Sequence, residues 1–233
     1  MNKYDLGIIG GMGSKATVEI YKRIIERTYH TCDQEHMRIC ILNNSIIPDR
    51  TKCILEDGED PLPYLNESIK DLEAIKAKYF IVPCNTAHYF APKFITNNIK
   101  FISMIEETLK IINENFKEFK VCILATNGTI NSKVYHNHTL ASNLGFIYLN
   151  DEEQDKVMNV ITDTKSDKCR EAIEINLLSV IKSVKQREEK CLFVLVCTEL
   201  SLYLDVVKKV SNVIDAMDCL VNASIIKCGY KIK

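Results

Sequence analysis

The sequence is short of the features that mark most specialised classes. No apolar run approaches the roughly 20 residues of a transmembrane helix, so a membrane-spanning protein is not expected. Neither sign of charge prevails: 30 Lys and Arg face 31 Asp and Glu, for a formal net charge of -1. That balance gives no reason to expect nucleic acid or an anionic membrane as the partner. The ten cysteines include no Cys-x-x-Cys pair and no Cys/His cluster at zinc spacing, so no metal site is expected. One lysine, a short apolar run and a glycine loop open the chain, which is not the layout of a secretory signal. No low-complexity linker marks a boundary between domains.

What is present is an ordinary globular composition. The chain has 233 residues, 46% of them hydrophobic, enough for one large domain or two small ones around real cores. Cys40, Cys122, Cys191 and Cys219 fall inside apolar segments, where free cysteine behaves as a small hydrophobe. A reduced, cytoplasmic protein fits this usage better than a disulfide scaffold.

Strand and helix signals alternate along the chain. Strands are expected over 4–9, 38–42, 79–82 and 100–103. A helix capped by Ser14 runs to about 29, and another covers 64–76, after polar loops over 43–50 and 56–63. The pattern then restarts: helix 106–115, strand 121–125, strand 146–149, helices 151–162 and 168–187, strand 192–196, then 213–214 and a helix from 216. Alternation of this kind predicts parallel sheets with right-handed crossovers. The expected architecture is α/β, in two pseudo-symmetric lobes that are each a mainly parallel sheet flanked by helices. Residues 1–104 form the first lobe and 105–213 the second, with a C-terminal helix, about 214–233, packing back on the first. The active site is expected in a cleft between them.

Two cysteines stand in matching settings. Cys84 lies in Val82-Pro83-Cys84-Asn85-Thr86-Ala87-His88, and Cys197 in Val194-Leu195-Val196-Cys197-Thr198-Glu199. Each follows an apolar strand and precedes small polar residues. Core burial is the usual fate of a cysteine, but these two follow their strands rather than sit within them. A free thiol, with a pKa of about 8.5, can serve as acid or base near neutrality. Two thiols flanking one carbon would exchange its proton on both faces and invert a stereocentre. Asn85, Thr86 and Thr198 could stabilise the charge that develops.

The other motifs admit competing readings. Gly11-Met12-Gly13-Ser14-Lys15-Ala16 fits a dinucleotide fingerprint, yet the second strand ends in Asn43-Asn44 where that fingerprint wants an acid. A glycine loop whose free amides hold a carboxylate at a helix start, and a plain structural turn, are the alternatives. Arg50, in the loop after the second strand, is either a carboxylate clamp or a solvated surface residue. Lys165 is placed in a polar stretch after a helix that ends near 162. His88, on the helix after Cys84, either tunes the thiol or packs. Glu199 either orients or deprotonates Cys197, or simply starts a helix.

Taken together, Gly10-Gly11-Met12-Gly13, Pro48-Asp49-Arg50-Thr51, Pro83-Cys84-Asn85-Thr86-Ala87-His88, Ala125-Thr126-Asn127-Gly128-Thr129 and Cys197-Thr198-Glu199 resemble the aspartate racemase branch of the aspartate/glutamate racemase superfamily. The resemblance runs from the first strand to Ile214-Asp215-Ala216-Met217-Asp218. It implies racemisation of aspartate without pyridoxal phosphate, metal or other cofactor, and a homodimer. It implies Cys84 and Cys197 as the proton donor/acceptor pair, Met12, Asn85, Thr86, Thr126 and Thr198 at the α-amino and α-carboxylate end, and Arg50 with Lys165 on the side-chain carboxylate. The segment before Lys165 is about one residue shorter than the family's spacing. Glu199 stands where glutamate racemases carry His, which favours the aspartate branch. Racemases of glutamate or other amino acids, an isomerase or decarboxylase of the same superfamily, and a catalytically silent binder of a dicarboxylic amino acid are the alternatives.

Overall fold

Two parallel sheets built on one plan divide the chain. A computed structural model describes residues 3–166 and 168–233. Met1–Glu107 with Met217–Lys233 form one compact unit, and Thr108–Ala216 form the other. The first unit carries β1 (Tyr4–Gly10), α1 (Ser14–Arg27), β2 (Ile39–Asn43), α2 (Arg50–Leu55), α3 (Leu62–Ala74), β3 (Ala77–Ile81) and β4 (Lys100–Phe101). Helix α4 (Met104–Asn115) leads into the second unit, which carries β5 (Lys120–Leu124), α5 (Asn127–Ser132), β6 (Phe146–Ile147), α6 (Asp151–Lys165), α7 (Arg170–Arg187), β7 (Cys191–Leu195), α8 (Leu204–Lys208) and β8 (Asn212–Asp215). Helix α9 (Ala216–Lys227) belongs, from Met217 on, to the first unit.

The sheet orders are β2-β1-β3-β4 and β6-β5-β7-β8. Adding four to each strand number of the first gives the second. Every pairing is parallel, as strands joined by helical crossovers must be. In both sheets the third strand along, β3 or β7, lies between two neighbours. It is therefore covered on both edges as well as by helices, and it reads as an unbroken apolar run (all five residues of Cys191–Leu195 are buried).

Helix periodicity decides which faces cover the sheets. In α3, Leu65, Ile69 and Leu72 recur at helical spacing and are fully buried with Ile9, Phe80 and Val82. In α7, Ile173, Leu177, Val180, Ile181 and Val184 do the same against Val157 and Ile161 of α6 and Phe193 and Leu195 of β7. Each such Leu or Ile contributes about 1.5–3 kcal/mol by leaving water. Helix α6 starts on a capping box: the Asn150 side chain accepts from the Glu153 N–H while Glu153 accepts from the Asn150 N–H. Glu153 also takes both terminal nitrogens of Arg187, at 2.5 and 2.8 Å, which ties α6 to α7. On the first unit, Asp218 of α9 accepts from Arg23 and Arg27 of α1 at 2.7 and 2.6 Å.

Several local expectations are corrected. Gly13, in extended conformation, is the N-cap of α1, and Ser14 is the first helical residue. Its hydroxyl instead accepts from Asn43. A short helix, α2, forms at Arg50 because the Asp49 carboxylate caps it by accepting from the Lys52 N–H at 2.9 Å. His88 lies on a helix after Cys84, as expected, and that helix, Thr86–Lys93, is 3-10. Lys165 is the last residue of α6, not part of a loop after it.

The clamp on Glu153 sets an acid limit on stability. Hydrogen bonds from Arg187 hold its carboxyl down at about 2. The folded value lies below the ordinary one, so the stabilisation is complete above pH 4.5 and is lost as pH falls towards 2. Replacing Glu153 by Gln is expected to lower the unfolding free energy at pH 7 by roughly 1–2 kcal/mol, because the half-exposed Arg187 loses its charged partner while the Gln side chain can still accept from the Asn150 N–H. Urea unfolding at pH 7 and pH 3 checks it: the gap between wild type and variant should narrow at pH 3.

Candidate functional site

In the first unit the glycine loop and Arg50 are built against each other. Gly11 has φ +92, and a Cβ there would collide with the backbone of Asn44 just past β2, so only glycine lets the loop pass. The Gly11 N–H is not free for a ligand. It donates to the Thr17 hydroxyl at 3.1 Å, and that hydroxyl donates to the Gly13 carbonyl. Met12 is buried, and its carbonyl accepts from Arg50 Nη2 at 3.2 Å. Arg50 Nη1 donates to the carbonyls of Pro48 and Ile47, at 2.9 and 3.4 Å. Arg50 Nε is buried and has no partner. Among the described residues no carboxylate pairs with this guanidinium. A half-buried cation held only by neutral carbonyls, with one donor unsatisfied, is under-compensated and complementary to an incoming carboxylate.

Cys84 follows β3 by three residues and is 8% exposed. A turn forms at once: its N–H donates to the Val82 carbonyl and its own carbonyl accepts from the Ala87 N–H. Asn85 and Thr86 are buried beside it. His88 is fixed by logic as well as geometry. Its Nε2 accepts from the Met104 N–H at 3.0 Å, so Nδ1 carries the proton and donates to the Cys84 carbonyl at 2.9 Å. Burial lowers its pKa from 6.5 to about 4, which keeps the ring neutral. Both nitrogens are engaged with the backbone; His88 shapes the loop that carries the thiol.

In the second unit Cys197 follows β7 by two residues and is 9% exposed. Its thiol donates to Glu199 Oε2 at 2.9 Å, and the Thr198 hydroxyl donates to the same oxygen at 3.1 Å. Lys165 Nζ stands 3.9 Å from Glu199 Oε1. Burial, then the charge and hydrogen bond of the Glu199 carboxylate, push the Cys197 thiol well above its ordinary value, against a weaker opposing pull from Lys165. Thr126 caps α5 by accepting from the Thr129 N–H at 3.3 Å. It sits two residues past Leu124, the end of β5, which lies beside β7 in the sheet. Cys197, Thr198, Glu199 and Lys165 thus form one cluster, and Met12 and Arg50 another, while His88 contacts the backbone of Cys84.

One residue of this arrangement is not singled out by the sequence. Ser201, four after Cys197, donates to the buried Asp215 carboxylate at the end of β8, at 2.7 Å. It matches His88, four after Cys84, whose ring reaches Met104 just past β4. Each thiol loop turns into a 3-10 helix and is pinned at the same offset, His88 to the first residue of α4, three past β4, and Ser201 to the last residue of β8. The shared offset is visible in the chain; the change of chemistry from His to Ser hides it. None of the ten cysteines is in a disulfide. Among the described residues no group of three or more His, Cys, Asp and Glu side chains could hold a metal ion, and no helix is long and apolar enough to cross a membrane.

The neutral His88 gives a second pH signature, in a different window from Glu153. Above pH 6.5 the ring is neutral folded and unfolded, and its contribution is complete. Between 6.5 and about 4 the unfolded chain binds a proton that the native ring refuses. Stability should therefore fall with falling pH by up to about 1.4 kcal/mol per unit. In His88→Gln that slope should vanish between pH 6.5 and 4. Denaturant unfolding at three pH values measures it, and an unchanged slope would place the titration elsewhere.

Comparison with known proteins agrees with this geometry. Residues 9–224 match the Asp/Glu/Hydantoin racemase family. The chain is 32% identical to the Picrophilus torridus aspartate racemase, with a TM-score of 0.86 and coverage of 98% of this chain and 95% of that one. It is 25% identical, over 227 residues, to the broad specificity amino-acid racemase RacX of Bacillus subtilis (strain 168), covering 94% of this chain and 96% of RacX. An aspartate racemase homologue from Pyrococcus horikoshii OT3, 22% identical over 97% of this chain and 99% of that one, shares the fold with a TM-score of 0.76. The chain belongs to the Asp/Glu/Hydantoin racemase family, and it is an isomerase of the racemase type.

Proposed function

We propose that this racemase interconverts L- and D-aspartate without a cofactor, with Cys84 and Cys197 as the paired acid and base. One observation carries the reading: two sheets of identical topology each end their third strand in a free cysteine within three residues of the strand. Matched positions in repeated frameworks are what two-sided proton transfer to one carbon requires.

An α-proton of an amino acid is weakly acidic, so the barrier has two parts. One is charge. Arg50, with its unsatisfied Nε, is the group suited to the side-chain carboxylate, with Lys165 as a second cation. Asn85, Thr86, Thr126 and Thr198 are suited to the α-amino and α-carboxylate end, where they would stabilise the negative charge that spreads into the carboxylate. The other part is position. A thiolate on one face removes the proton and a thiol on the other returns one, so each half-reaction needs its partner already in place. Acid and base exchange roles in the reverse direction.

The choice of aspartate rests on Arg50 and on the resemblance to an aspartate racemase. The likeness to a broad specificity racemase makes a panel of amino acids the proper test. Purified protein and L-aspartate, with no added cofactor, should yield D-aspartate by chiral chromatography. Cys84→Ala and Cys197→Ala should each lower the rate by about a thousandfold or more. Arg50→Ala should raise KM for aspartate roughly ten- to a hundredfold, the loss of a charge-assisted pair, with far less effect on any neutral amino acid. Full activity in either cysteine variant, or equal effects of Arg50→Ala on aspartate and alanine, would overturn the reading.

A further inference from the structure

We propose that Glu199 is a positioning residue that fixes where the resting enzyme keeps its proton, holding Cys197 as the thiol so that free enzyme is poised to donate from that side. The inference rests on the two-thiol reading above and adds a direction to it. A symmetric pair of cysteines would share the proton evenly between two forms of the free enzyme. The structure is not symmetric in this respect.

The asymmetry lies in side chains at matched positions. Two residues after Cys197 stands Glu199, whose Oε2 accepts from the thiol at 2.9 Å. Two residues after Cys84 stands Thr86, which carries no charge. Glu199 is itself held. Thr198 donates to the same oxygen at 3.1 Å, and Lys165 approaches the other at 3.9 Å. Its side chain is only 14% exposed, so water screens it little. Among the described residues of its unit, the charged groups that act on the Cys197 thiol are Glu199 and Lys165. Lys165, with 54% of its side chain exposed, is the weaker of the two.

The consequence follows from counting charge through one turnover. The Cys84 thiolate takes the α-proton and becomes a thiol. The Cys197 S–H bond breaks, its proton goes to the opposite face of the carbon, and the negative charge is left on the Cys197 sulfur. That sulfur then faces the Glu199 carboxylate, two acceptors with no proton between them. This form is raised in energy relative to the starting one. It returns either by binding the product enantiomer and running backwards, or by taking a proton from water while Cys84 gives one up. Racemisation has an equilibrium constant of one, so kcat/KM is equal for the two enantiomers whatever Glu199 does. The preference must instead appear as unequal kcat values matched by unequal KM values.

Glu199→Gln keeps the shape and removes the charge. Alkylation of the native full-length protein by iodoacetamide across pH, with each cysteine read by peptide mass mapping, reports the Cys197 midpoint without any need for turnover. The midpoint should fall by about one pH unit or more, the scale of a removed neighbouring charge. In the same variant the ratio of kcat values for L- and D-aspartate should move towards one. An unchanged midpoint, or an unchanged kcat ratio, overturns the inference; a merely structural Glu199 would move neither. If the variant does not fold, Lys165→Met, an exposed change, should raise the Cys197 midpoint, and no rise overturns the inference. Failure of wild type to racemise aspartate would defeat the proposed substrate while leaving the thiol titration readable, so the two failures are distinguishable.

Discussion

The decisive constraint in each unit is a strand that stops. A parallel strand with neighbours on both edges cannot move without breaking two ladders, so whatever follows its last residue inherits a fixed position. β3 and β7 occupy that place in their sheets, and each releases the chain into a tight turn carrying a cysteine. The turn is then locked from the far side: His88 to the backbone of Met104, Ser201 to Asp215. Rigid scaffold, short loop and remote pin are the parts needed to hold a reactive group within a few tenths of an ångström.

The electrostatics of Arg50 and Glu199 are incomplete. Arg50 spends its hydrogen bonds on three carbonyls and leaves one donor empty. Glu199 accepts from two donors and leans on a third. Contrast Glu153 and Arg187, where a carboxylate and a guanidinium satisfy each other twice over. The closed pair stabilises; the open charges are the ones suited to a substrate. Unsatisfied polar groups cost free energy in a folded protein, and these follow the carboxyl ends of strands, where α/β proteins bind ligands.

Much of the architecture was legible because strands buried on both faces read as continuous apolar runs and α3 and α7 repeat their apolar residues at helical spacing. Parallel sheets followed from the alternation. Less was legible where one side chain decides the local structure. The helix at Arg50 depends on the Asp49 cap, and a polar loop with one capping residue looks like any polar loop. The N-cap of α1 fell on Gly13 because the glycine takes the extended conformation, while Ser14 serves Asn43 instead. The end of α6 ran on to Lys165 through a polar sequence with no apolar stripe to mark it. In the site, the cysteine settings and the arginine loop stood out as motifs. The loss of the Gly11 amide to Thr17 did not, because side-chain hydrogen bonds within a glycine loop leave no mark on its spacing. Neither did the Ser201–Asp215 pin, since a lone serine carries no signature. The placement of Lys165 beside Glu199 depends on where α6 ends, which is the least predictable part of a helix.

In the proposed reaction two different sulfurs handle the two faces of one carbon. Initial-rate racemisation of L-aspartate in heavy water tests it directly. With two bases, the D-aspartate formed carries deuterium at the α-carbon while unreacted L-aspartate carries none. A single base that swings across both faces would put deuterium into recovered L-aspartate at a rate comparable with inversion, and that result would contradict the account.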